Sequence, residues 1–122
     1  MMFILFSTLF RRDFVTKRNY YNLNNLVQVH HIIPMQWKNH ANLKFIKDDE
    51  LISYDVKKGY NLILLPTKSG KNILKTKRRI HDGSHNNYNA YVKELLDDNI
   101  DPFLIMLFLR YSLMNNNEDI PW

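Results

Sequence analysis

The chain has 122 residues, 45% hydrophobic and 24% charged, a balance that excludes an intrinsically disordered or fibrous chain and fits one domain with a modest core. It has no cysteine and only three glycines, which excludes disulfides, thiolate metal sites and a glycine-rich phosphate loop. The net charge of +5 is uneven, with 15 Lys/Arg against 5 Asp/Glu in residues 1–79 and 2 against 7 in residues 80–122, so the first part suits a polyanion, nucleic acid before an anionic membrane.

Residues 1–10 are apolar but lack the basic start and small-residue end of a signal peptide, and read as a core segment. Residues 19–25 are Asn-rich. Residues 26–33 (LVQVHHII) suit a short strand stopped by Pro34. Residues 35–47 mix polar and apolar positions as a helix could. Gly59 breaks the chain before 61–65 (NLILL), a second strand led by Asn61 and ended by Pro66. Residues 67–79 form a basic loop. Ser84 is a good N-cap for a helix over 84–98, with Tyr88, Tyr91, Val92, Leu95 and Leu96 in one apolar stripe. Asp101-Pro102 opens another helix, apolar nearly all round over 103–114 and therefore expected to be buried. Residues 115–122 look like a polar tail. No run approaches the roughly 20 apolar residues of a membrane span, so a soluble protein with no membrane partner is expected, in a compartment that the sequence does not reveal.

Four of the five histidines fall in two groups, His30-His31 and His81-x-x-x-His85. At a helix start the second spacing puts two imidazoles on one face, about 5–6 Å apart at Cβ, suitable for one metal ion. On a strand the adjacent pair points to opposite faces, so one histidine can ligate while the other reaches toward a substrate. Taken singly, each group also fits ordinary surface or core histidines. His40 stands apart and reads as a surface residue; Trp37 reads as buried or half-buried, and Asp82 as a helix cap.

Together the groups make a ββα unit. It resembles the ββα-metal finger of the HNH endonuclease superfamily, and within it the AHH-type nucleases of bacterial polymorphic toxins and some viruses. The matching residues are His30-His31-Ile32-Ile33-Pro34, Asn61-Leu62-Ile63-Leu64-Leu65-Pro66, and His81-Asp82-Gly83-Ser84-His85 with Tyr88. Val29 departs from the usual Ala before the histidine pair, and Leu62 from a small residue. The resemblance implies one α+β nuclease domain over residues 1–122, mostly helical around a two-stranded ββα-metal core, with the motif in about 27–96.

It also implies roles. His31 would activate water as general base; a neutral histidine with a reference pKa of about 6.5 suits that work. His30, His81 and His85 would hold one divalent ion: zinc, nickel or cobalt as borderline ions that suit imidazole, magnesium or manganese from what some members use. Asn61 would orient the loop around the base. Lys68, Lys71, Lys75, Lys77, Arg78 and Arg79 place six positive charges in twelve residues beside the site, for phosphate contacts that carry affinity without sequence reading. The implied function is metal-dependent hydrolysis of phosphodiester bonds, DNA favoured over RNA, with an inhibitor or immunity protein as partner if the chain is a toxin. No secretion domain precedes the unit, so a complete small protein of a virus or mobile element is expected. The competing reading is a zinc-stabilised module that grips nucleic acid without cutting. A closed structural zinc site has four ligands and no need of His31.

Overall fold

Along Val27–His31 (β1) Val27 and His30 are buried and Gln28 is exposed; the two-residue period of a strand sets Val27 and His30 on opposite faces, so each face of β1 is covered at one position. The computed structural model describes residues 25–122; the apolar run 1–10 and nearly all of the Asn-rich segment lie outside the described residues. β1 pairs antiparallel with Leu62–Pro66, here β4, in a register that sets His30 opposite Ile63 and His31 opposite Leu62. Ile63, Leu64 and Leu65 are fully buried, so both faces of β4 are covered.

Between these strands the chain differs from a helix over 35–47. It makes two 3-10 turns, Met35–Trp37 and Ala41–Leu43, and then a hairpin of β2 (Lys44–Lys47) and β3 (Glu50–Ser53). Asp48 and Asp49 link the hairpin with φ of 52° and 64°. A two-residue hairpin loop with both residues left-handed matches strand twist, and Asp tolerates that conformation better than most residues. A third 3-10 turn, Gly59–Asn61, precedes β4.

Residues 67–79 are only partly loop. Thr67 caps Lys68–Leu74 (α1) by accepting from the Gly70 amide, and Lys75 ends it in the left-handed conformation. α1 lies so close to the start of β1 that a Cβ built on Gly70 would meet the Leu26 carbonyl oxygen at 1.8 Å. Gly70→Ala is therefore expected to destabilise the fold by about 2–3 kcal/mol in urea unfolding, although Ala is the better helix former, because the obstructing atom is backbone and cannot swing away.

Asn86–Asp97 (α2) and Pro102–Met114 (α3) cover the β1–β4 pair. Tyr88, Val92 and Leu96 of α2 and Ile105, Leu109 and Leu113 of α3 are buried in one core with Ile32, Ile33 and Ile63. Asp101 caps α3 as its sequence suggests, accepting from the Phe103 amide. α3 is not buried all round. Leu104, Leu107, Phe108 and Tyr111 are exposed, since only one side of the helix meets the core. Nor is 115–122 a free tail, because Ile120 is 2% exposed and Trp122 packs on the core. The result is a small α+β fold with three helices and two two-stranded sheets among the described residues. None of these helices is long and apolar enough to cross a membrane.

Candidate active site

β1 delivers His30 inward and His31 to the half-buried opposite side. His81 enters from the loop after α1, where its amide donates to the Pro66 carbonyl at the end of β4 (2.8 Å). His85 is the last residue before α2 and stands in the left-handed conformation (φ 38°, ψ 47°). Ser84 is thus not the N-cap, and His81 and His85 do not share a helix face; the chain turns at Gly83 (φ 63°) and His85 instead. A non-glycine residue held there costs of order 1–3 kcal/mol and persists only where surrounding structure imposes it. The turn brings both rings to His30.

The three imidazoles converge. Ring centroids lie 5.3 Å apart for His30–His81, 5.0 Å for His30–His85 and 5.1 Å for His81–His85, and one nitrogen from each falls within 4.8 Å of the others. Nitrogens around an ion at 2.0–2.1 Å in tetrahedral geometry lie roughly 3.4 Å apart, within reach of small ring rotations. His30 Nε2 is buried with no hydrogen-bond partner. Such an orphan is costly unless something else satisfies it. His85 Nδ1 is 3.0 Å from Asn89 Oδ1. An amide oxygen only accepts, so Nδ1 donates to it and Nε2 is the nitrogen left for an ion, the usual outer support of a metal-binding histidine. The donor set fits one divalent ion, and Asn89 is a supporting residue that sequence reasoning missed; its four-residue spacing from His85 was the available signal.

Electrostatics favour neutral rings. Burial, then the neighbouring His81, His85 and His31, hold His30 well below the usual histidine pKa. Burial and His85, opposed by Asp82, bring His81 down to about 4. Burial also lowers His31. A histidine with a depressed folded pKa takes up its proton more readily when unfolded, so the folded state loses stability as pH falls below the unfolded value. The urea midpoint of metal-free protein is therefore expected to fall steadily from about pH 6.5 toward pH 4. A midpoint flat across that window would show that these rings are not held neutral.

His31 and the three converging histidines line one open cleft with Val29, Pro34 and Asn89. Asn61 is not a strand residue; it ends the 3-10 turn before β4 and is fully buried. Its side-chain oxygen accepts from the Ile33 amide (2.8 Å) and the Tyr54 hydroxyl (2.6 Å), and its amide donates to the carbonyls of Ile33 (2.9 Å) and Val56 (2.8 Å). It thereby ties the end of the His30-His31 segment to the chain entering β4. Burial and the neighbouring Tyr60 push the Tyr54 hydroxyl far above its ordinary pKa, so it stays protonated and donates.

The six basic residues do not form one face. Arg78 is 3% exposed and donates to the Leu64 carbonyl (3.1 Å), so it braces β4, and its placement among solvent-facing phosphate contacts is corrected. Lys71 donates to the carbonyls of Lys77 and Arg78, and Arg79 to that of Ile120. Lys68, Lys71 and Arg79 share a pocket with Asp82, Asn116 and Trp122. Lys75 and Lys77 are exposed. Asp82 does not cap α2; its carbonyl accepts from the Trp122 indole and its carboxylate is 3.9 Å from Lys68 Nζ. His40 caps the second 3-10 turn at the Asn42 amide and contacts Asp97 (2.8 Å).

The model of a nuclease family of the HNH/ENDO VII superfamily with a conserved AHH matches residues 12–101. The chain belongs to this AHH family. It is thus a nuclease of the endonuclease type, with nucleic acid as substrate. HNH nucleases use a divalent metal, and the histidine cluster could bind one. No curated protein and no solved structure gives a significant match.

Proposed function

We propose that this AHH nuclease hydrolyses DNA phosphodiester bonds with His31 as general base and one divalent ion held by His30, His81 and His85. The observation that carries the reading is the convergence of three imidazoles, one with a buried unpartnered nitrogen, on the cleft that His31 also lines. The ion, when bound, supplies Lewis-acid stabilisation of phosphate charge and of the leaving oxygen.

The chain's own residues do the rest. His31 takes a proton from water as the water oxygen bonds to phosphorus and the bond from phosphorus to the leaving oxygen breaks. Its lowered pKa keeps it neutral, and hence able to accept, at physiological pH. Asn61 acts on geometry, holding the residues that follow His31. Lys68, Lys71, Lys75, Lys77 and Arg79 are assigned to phosphate contacts, with Arg78 reserved for bracing. We take the whole chain as one domain. DNA is taken over RNA from the resemblance to HNH nucleases, and zinc or nickel over magnesium from the all-imidazole donor set.

The test is cleavage of supercoiled plasmid, single-stranded DNA and RNA by purified protein with magnesium, manganese, nickel or zinc, beside an EDTA control. Cutting of DNA that EDTA abolishes and one of these ions restores is the expected result. Binding without cutting under every ion would overturn the catalytic assignment in favour of a zinc-stabilised binding module.

A further inference from the structure

Residues 115–122 lie beyond the segment that the family model matches, yet they reach the histidines. The Trp122 ring sits 5.4 Å from that of His30, 5.6 Å from His81 and 5.0 Å from His85, and 5.5 Å from Tyr88 behind them. Several bonds fix it there. Its indole N–H donates to the Asp82 carbonyl between the two loop histidines (2.7 Å), and its own carbonyl accepts from Asn87 in the first turn of α2 (3.2 Å). Arg79 donates to Ile120 (2.6 Å), and its guanidinium carbon lies 5.0 Å from the indole centroid. Ile120 anchors the segment in the core.

The Trp122 ring is in contact with all three histidines of the cluster. The cleft lined by His30, His31, His81 and His85 does not include it, whereas the separate basic pocket of Lys68, Lys71 and Arg79 does. The indole is therefore a partition between the two.

We propose that Trp122 is a positioning residue of the metal centre: its ring walls off the back of the His30/His81/His85 cluster, so that an ion's open coordination positions face His31. This rests on the proposed metal reading. The physical argument has two parts. A three-imidazole site leaves positions that water fills from any open side, and a wide apolar ring in contact with all three ligands closes one side. The indole bond to Asp82 also fixes the short loop that carries His81 and His85, and outer groups of this kind change metal affinity by roughly 10–100-fold.

The test uses cobalt(II) as probe, because its visible absorption reports coordination number. Trp122→Ala is expected to bind cobalt roughly tenfold or more weakly and to shift the spectrum toward the weaker bands of a higher-coordinate, wetter ion. Trp122→Phe, which keeps a ring wall, should retain the wild-type spectrum. If the Ala variant does not fold by circular dichroism, Trp122→Leu, which narrows the wall and keeps it apolar, gives the same readout. In a Trp37→Phe background Trp122 is the only indole in the chain, and bound cobalt is expected to quench its emission. Wild-type spectrum and affinity in the folded Ala or Leu variant, or unquenched emission, would overturn the inference while leaving the metal site standing. Failure of wild-type protein to bind cobalt at all would overturn both.

Discussion

His31→Ala is expected to lower the rate of DNA cleavage by roughly 10²–10⁴-fold, the range that a positioned general base contributes. The effect should fall on kcat, because the lost interaction is a proton transfer made only in the transition state. Metal affinity should stay close to wild type. His31 follows His30 on β1, but strand alternation sends the two side chains to opposite faces, and the three converging nitrogens belong to His30, His81 and His85. Truncating His31 therefore removes a group that lines the cleft without removing a member of the cluster. The measurement is plasmid nicking together with zinc or cobalt titration of the same preparation. A variant that binds metal as wild type does and cuts at the wild-type rate would show that another group activates the water. His30→Ala should lose metal binding as well as activity.

Asn61→Ala is expected to be the most destabilising single truncation in the site, costing about 3–5 kcal/mol in urea unfolding of the metal-free protein. Each of the four bonds to its side chain ends on a group left without that partner: the Ile33 amide and carbonyl, the Val56 carbonyl and the Tyr54 hydroxyl. Asn61 is fully buried, so water cannot readily replace it, and a buried polar group left unpaired costs about 1–3 kcal/mol. Part of the bracing survives, because Arg110 also holds this turn through the carbonyls of Tyr60 (2.6 Å) and Leu62 (3.0 Å). Tyr54→Phe serves as the scale, since it removes one of the four bonds and should cost about 1 kcal/mol. Equal losses for the two variants would mean that the remaining bonds of Asn61 contribute little. Activity should fall with stability in Asn61→Ala, since His31 pairs with Leu62, the next residue along.

The histidine motif was legible because it depends on local order. His30-His31 before Ile32-Ile33-Pro34, and His81 four residues before His85, are patterns of a few residues each, and strand alternation alone separates His30 from His31. The β1–β4 pair and the last two helices were legible for the same reason, through apolar periodicity bounded by proline or an aspartate cap. The AHH family assignment follows from those segments.

The rest was decided in three dimensions. His81 and His85 approach one ion through a left-handed turn and not through helical periodicity, and only the packing of α2 against β1 determines which geometry that spacing takes. α1 was hidden because it is only seven residues long and carries Gly70, a poor helix former, in its middle; its placement comes from the Thr67 cap and from Gly70 fitting against Leu26. Arg78 looked like its basic neighbours, since charge is a property of the residue and burial a property of the fold. Trp122 is separated by 37 residues from the nearest histidine in sequence, His85. By itself the sequence determined which groups could do the chemistry. The tertiary structure decided which of them meet, because contacts across the chain depend on how α3 turns residues 115–122 back onto the β1–β4 pair.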